Sequence, residues 1–290
     1  MSSSQALRSD KQTSSKADLE RYWREGYVVV RDFFSRDEID EIAAAIDQLY
    51  SEGLKHGRPF RHGNLFYNVA RAKDQAFVRM VQWPSYHQPV LNRLRLDPRF
   101  AELLEPLIGP DLKQIINQVH WKAPGSLGDF AWHQDSKSRR PASAYRNLAT
   151  SYVQTGLAID PHGPESGGLR FIPRSHLRGD LHIDCERHSL GAAMTGEALE
   201  AVGLSEADAI DLELEPGDLA LWSPYLVHGS GTNRSNHKRR FCINGYVRAA
   251  DCDRGEWAFR KGRPVALGPE PALVHYEELH ERPEPHYPVD

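Results

Sequence analysis

Phe130-Ala131-Trp132-His133-Gln134-Asp135 is the stretch on which the reading of this chain turns. Its aromatic, apolar start suits a strand, where side chains alternate between faces, so His133 and Asp135 fall on the same one. At a rise of about 3.3 Å per residue their Cα atoms stand about 7 Å apart. An imidazole nitrogen and a carboxylate oxygen can then converge on one cation at about 2.0 to 2.2 Å. Alone, the pair is a weak signal in a chain with 14 histidines.

The surroundings agree with a strand. From Leu112 onward, short runs are separated by Gly, Pro, Asn and Asp, the punctuation of an all-β barrel or sandwich. Strands are expected near 113–122, 130–135, 151–159, 168–172, 210–214, 218–223 and 239–248, with the acidic segment Thr195 to Ala209 as a weakly helical insertion. The N-terminal third reads as helices around one short strand, Tyr27 to Val30. Ser35 and Glu38 match a capping box, and Ile39, Ile42, Ala43, Ile46 and Leu49 recur at helical spacing until Gly53. Val90 to Leu96 and Pro98 to Ile108 are further helices, and Gly57 to Ala72 reads as a loop. The expected organisation is a disordered tail over 1–16 and one unit over 17–260, helical over 17–110 with a β core over 111–250. An extended tail over 261–290 follows, which either closes the site or makes a dimer contact.

A third donor is offered by His228-Gly229-Ser230-Gly231-Thr232-Asn233, which follows Gly217-Asp218-Leu219-Ala220-Leu221-Trp222. Two histidines and a carboxylate with open positions form the facial triad of non-haem Fe(II) oxygenases, although zinc hydrolases use the same donor types. Arg239 lies eleven residues after His228, where a planar guanidinium could grip a carboxylate with two hydrogen bonds. That suits a dicarboxylate co-substrate.

With these segments, the Glu165-to-His176 stretch (ESGGLRFIPRSH) and the Pro216-Gly217-Asp218 turn, the chain resembles the phytanoyl-CoA dioxygenase family of Fe(II)/2-oxoglutarate oxygenases from about Tyr27 to Val247. The resemblance implies a double-stranded β-helix, a jelly-roll or cupin-like barrel, buttressed by the N-terminal helices. It implies that His133, Asp135 and His228 ligate Fe(II), and that Arg239 with Ser230 holds the distal carboxylate of 2-oxoglutarate. Gln118, His120 and Gln154 fall where the family often contributes polar co-substrate contacts. The implied reaction consumes O2 and 2-oxoglutarate, releases succinate and CO2, and hydroxylates an unactivated C–H of a small molecule. Related halogenases resemble this pattern with a small residue in place of the carboxylate, so Asp135 favours hydroxylation. Ser166 stands where family members often carry Asn, a variation of the turn.

Other readings are weaker. A non-catalytic metal-binding β-barrel need not keep all four groups, and a zinc-dependent hydrolase needs a general base beside the metal and no dicarboxylate clamp. Alternation lets only one of Arg239 and Arg240 face inward, and the family spacing selects Arg239. Trp132 and Trp222 read as core, Gly167-Gly168 as a turn, and Lys137, Arg139, Arg140 and Arg146 as a solvated loop. His56, His62, His87, His182, His188 and His237 lack ligand spacing.

Composition sets the outer bounds. All-β barrels of about 200 to 250 residues fold as single units, and 290 residues with 40% hydrophobic and 26% charged content suit one elaborated soluble domain. Thirty-six Lys plus Arg against 40 Asp plus Glu, without a basic run, argue against nucleic acid. No apolar run approaches the roughly 20 residues of a membrane span. Cys185, Cys242 and Cys252 form neither a CxxC pair nor a disulfide framework, so a reducing cytoplasm is expected.

Overall fold

The computed structural model describes residues 16–72, 75–125, 130–181, 196–273 and 282–288. Apart from Lys16, the expected disordered tail lies outside the described residues. The chain runs α1 (Lys16–Glu25), β1 (Tyr27–Val30), α2 (Arg36–His56), β2 (Phe60–His62), β3 (Leu65–Ala72), β4 (Gln75–Gln82), α3 (Pro89–Arg95) and α4 (Pro98–Ile108). Then follow β5 (Leu112–Lys122), β6 (Phe130–His133), β7 (Tyr152–Ala158), β8 (Leu169–Phe171), β9 (Ile210–Asp211), β10 (Leu219–Trp222), β11 (His228–Ser230), β12 (Arg239–Arg248), β13 (Glu256–Arg260) and β14 (Arg263–Pro264).

Two antiparallel sheets result. The major sheet has the order β1-β10-β7-β12-β5-β4-β3-β2, with β13 paired to β5 and β14 to β13; the minor sheet has the order β6-β11-β8-β9. Alternation along β10 shows how they stack. Leu219 and Leu221 join the main core against α2 and α4, with Ile39, Ile46 and Leu104. Ala220 and Trp222 turn the other way and meet Tyr27, Phe171 and Phe241, which joins the two sheets. The fold is thus a jelly-roll sandwich with helices on the outer face of one sheet, as the sequence implies.

The N-terminal part departs from expectation. The strands β2, β3 and β4 extend the major sheet, where a loop was expected over Gly57 to Ala72. The period is present, since Leu65, Tyr67 and Val69 are buried in alternation, but Phe66 between them masks it. The helix α2 does begin at the Ser35–Glu38 capping box, yet it ends at Gly57 and not at Gly53. Gly53 serves close packing: a Cβ there would lie 2.7 Å from the side chain of Val78 on β4. In the insertion, a short helix over Gly196–Glu200 buries Leu199 against Trp132, Ile172 and Val227. In the C-terminal segment, His286 bridges to Arg61 of β2.

The turn into β10 is tied to the start of α2. Asp218 accepts the Asp32 N–H at 2.9 Å and the Glu215 N–H at 2.9 Å, and pairs with Arg31 at 2.6 Å. Gly217 has φ +102, and a Cβ there would sit 2.3 Å from the Phe34 carbonyl oxygen. Gly217→Ala is therefore expected to cost about 2 kcal/mol or more. The urea midpoint should fall with the denaturant slope unchanged.

Candidate metal centre and its anion cradle

β11 pairs antiparallel with β6, and the register sets His228 opposite His133. Their ring centroids are 4.2 Å apart. Each ring is aimed by a hydrogen bond to the carbonyl two residues before it: His133 Nδ1 lies 2.8 Å from the Ala131 carbonyl and His228 Nδ1 lies 2.9 Å from the Leu226 carbonyl. A carbonyl only accepts, so each Nδ1 carries the proton and each Nε2 keeps its lone pair for a metal.

β6 ends at His133, two residues short of the expected boundary, and a 3-10 turn starts at Asp135. The alternation survives because Gln134 keeps an extended backbone, with φ −114 and ψ 136. Gln134 points away from the histidines and is locked there. Its amide donates to the Gly179 and Tyr225 carbonyls at 2.8 and 2.6 Å, and its oxygen accepts the Leu181 N–H at 2.8 Å.

Asp135 Oδ2 accepts the Trp222 indole N–H at 2.9 Å and lies 3.7 Å from His228 Nε2. One ligand atom from each of His133, Asp135 and His228 lies within 4.8 Å of the others. Burial opposes ionisation of Asp135, but His228, Arg139, His133 and the indole N–H together hold its pKa below the ordinary carboxylate value. Two imidazole lone pairs and one carboxylate at this spacing fit a divalent metal with open positions.

Arg239 faces inward and Arg240 outward, as alternation requires. Arg240 donates from Nε and Nη2 to Asp160 at 2.9 and 2.7 Å and also reaches Asp47. Arg239 is only 6% exposed, its Nε finds no partner, and it forms no ion pair among the described residues. Burial lowers its pKa to about 10, so it stays charged near neutral pH. A buried guanidinium without a counter-charge is costly, and a bound carboxylate would relieve it. Ser230 is also buried, and its hydroxyl oxygen accepts from the Lys122 ammonium at 2.9 Å. Lys122 stands opposite Arg239 in the β5–β12 register and also donates to the Gly167 and Gly231 carbonyls. Gly167, with φ +65, supplies the expected turn.

The remaining expected contacts share this interior, paired with inward residues of β10 and β12. His120 stands opposite Phe241, Gln118 opposite Ile243 and Gln154 opposite Trp222. Each is already bonded nearby: His120 to Gln118 at 2.9 Å, and Gln154 to the Tyr152 hydroxyl at 2.6 Å. Burial, with Arg239 and Lys122 close by, pushes His120 down to about 3, so it is neutral. A cavity of about 620 Å³ lies beyond Arg239, lined by Asp160, His162, Glu165 and Glu213 among others; none of the three clustered donors lines it.

Several residues at the site differ from their sequence readings. Trp222 is core, but its indole N–H also holds Asp135. Arg139 does not belong to a solvated loop: it is 2% exposed, lies 3.9 Å from Asp135 and covers the Tyr152 ring at 4.9 Å. Arg146 does fit that reading, in an exposed pair with Asp253. Gln134, Lys122 and His162 carried no signal beyond their residue type. His56 stacks on Phe60 at 4.1 Å and His87 bonds the Tyr67 hydroxyl at 2.9 Å, away from the cluster. His182, His188 and Cys185 lie outside the described residues.

Known proteins resemble this chain in sequence and in fold. The phytanoyl-CoA dioxygenase family profile matches residues 22–241. The chain is 25% identical over 236 residues to the dioxygenase lolE1 of Epichloe uncinata, covering 80% of this chain and 82% of that one. It is 24% identical over 258 residues to the methylphosphonate hydroxylase of Gimesia maris, covering 88% and 89%. Among solved structures, the epimerase SnoN in complex with Fe3+, alpha ketoglutarate and nogalamycin RO superposes with a TM-score of 0.60 at 20% identity, over 89% of this chain and 98% of that one. No helix among the described residues is long and apolar enough to cross a membrane. With a match over most of its length, the chain belongs to the phytanoyl-CoA dioxygenase family of iron- and 2-oxoglutarate-dependent enzymes.

Proposed function

We propose that this enzyme hydroxylates an unactivated C–H bond of a small molecule, consuming O2 and 2-oxoglutarate and releasing succinate and CO2. The observation that carries the reading is the convergence of His133, Asp135 and His228 in a fold that also buries an inward-facing Arg239 with no ion pair among the described residues. A zinc hydrolase has no need of that cation. In this reading His133, Asp135 and His228 hold Fe(II), and Arg239 with Ser230 receives the distal carboxylate. Gln118, His120 and Gln154 line the co-substrate pocket, and residues 17–260 form one catalytic unit.

Iron and 2-oxoglutarate, when bound, would supply the oxidant for C–H cleavage, and the chain would position groups and exclude water. The Nδ1–H bonds to Ala131 and Leu226 keep both imidazole lone pairs aimed at one point. The Trp222 N–H fixes one carboxylate oxygen of Asp135. Phe130, Phe171 and Trp222 pack around the two rings and keep that side dry. The substrate class stays broad, since the relatives named above act on different molecules.

Anaerobic addition of Fe(II) and 2-oxoglutarate should give the weak visible band of an iron-chelated 2-oxo acid. Arg239→Ala should need about a hundredfold more 2-oxoglutarate to reach the same band. Asp135→Ala or His133→Ala should abolish succinate formation coupled to O2 uptake, and wild-type turnover in either would overturn the ligand assignment. Trp222→Phe keeps an aromatic residue in the core but loses the indole N–H. Its Fe(II) affinity, measured by competition with a chromogenic chelator, is expected to fall about tenfold, and its thermal midpoint should drop as well because the smaller ring leaves a void.

A further inference from the structure

His162 follows β7 and exchanges backbone hydrogen bonds with Leu214 at 2.9 and 2.8 Å. Its ring is buried, packs on Phe241 at a centroid distance of 4.5 Å, and places Nε2 2.8 Å from the Leu169 N–H. An amide N–H can only donate, so Nε2 carries the lone pair, and the one proton of a neutral ring sits on Nδ1. Burial, aided by Arg239 and Lys122, holds the pKa of this ring far below its usual value, so the ring is neutral. Yet Nδ1 faces Arg239 Nη1 at 2.9 Å, and a guanidinium nitrogen also only donates.

Two donors therefore face each other 2.9 Å apart with no acceptor between them, beside an Arg239 Nε that has no hydrogen-bond partner. A carboxylate oxygen that parts the two and turns both N–H groups toward itself would accept from each, at the usual length of a charge-assisted bond, about 2.8 Å. We propose that His162 is a second donor to the distal carboxylate of 2-oxoglutarate, forming with Arg239 a clamp that selects a 2-oxo acid with two carboxylates over one with a single carboxylate. The proposal rests on the co-substrate reading above and adds a residue to it. The Leu169 N–H fixes which tautomer His162 presents, so the backbone of β8 sets the direction of the donor.

The test uses Zn(II)-loaded protein carrying nitrogen-15 histidine, with His162→Gln to assign the ring signals. Near neutral pH, His162 should be a neutral, Nδ1-protonated ring whose Nδ1–H signal shifts on addition of 2-oxoglutarate and stays in place with 2-oxobutyrate, which lacks the distal carboxylate. By calorimetry on the same Zn(II) protein, His162→Leu should raise the Kd for 2-oxoglutarate about tenfold and leave that for 2-oxobutyrate within about twofold. His162→Gln, whose amide can accept from Leu169 and donate into the clamp, should recover most of the loss. An Nε2-protonated ring, equal weakening for both acids, or an unchanged Kd for 2-oxoglutarate in His162→Leu overturns the clamp. Wild-type protein that binds neither acid overturns the co-substrate reading itself.

Discussion

The site depends on one antiparallel register, that of β11 between β6 and β8. His228 stands opposite His133 on one side and Phe171 on the other. A slip of one residue would turn His228 to the opposite face and put Val227 or Gly229 in its place. β11 is only three residues long, so its own ladder cannot hold that register. The neighbours do. Val227 donates to the Ser175 hydroxyl at 2.8 Å and accepts from Ile172 at 2.9 Å, while its side chain packs on Trp132 behind the sheet. Gln134, bonded three ways on that same rear face, does for β6 what Ser175 does for β11.

The chemistry is divided between the two sheets, and hydrogen bonds from Trp222 and Lys122 help to join the halves. The donors His133 and His228 belong to the minor sheet, while Arg239 belongs to the major one. Trp222 of β10 reaches across to Asp135, and Lys122 of β5 reaches across to Ser230 of β11. Each bond joins a buried partner in one sheet to a site residue associated with the other, so the gap between metal donors and anion cradle is set by the stacking of the sandwich. The helices α2 and α4 act on this only indirectly, by packing the outer face of the major sheet.

What the sequence reveals follows from how local each signal is. β12 is legible to the residue because the segment Phe241 to Val247, rich in apolar and aromatic residues, is bounded by arginines at both ends, even though a bulge breaks its ladder at Gly245, and α2 is legible because a capping box and an apolar stripe are both short-range. His133 and Asp135 still face the same way although β6 stops early, since one further extended residue suffices. β11 is invisible because three residues with a central glycine carry no period. β2 to β4 are missed because aromatic residues occupy both faces of β3. Trp222, Arg139 and His162 are obscure for a different reason: their partners lie 87, 4 and 77 residues away, and only the fold tells which of many polar side chains is buried beside which.

Burial alone does not distinguish a structural arginine from one that awaits a ligand, and this chain offers the contrast. Arg95 is wholly buried, with an unpartnered Nε like that of Arg239. Its two terminal nitrogens, however, donate to the carbonyls of Val265 and Trp257, and a carbonyl is a proper acceptor. That cation is solvated by backbone and ties the segment after β14 to α3. Arg239 has instead a ring nitrogen that must itself donate, and Asp160, the acid whose charge it feels, is bonded to Arg240. Folding leaves such an arrangement uncompensated at a cost of several kcal/mol unless something else completes it. The same polar mismatch that weakens the free chain therefore makes it receptive to an anion, and it stands at the inward position of β12, on the face that β5 and β7 share with the site.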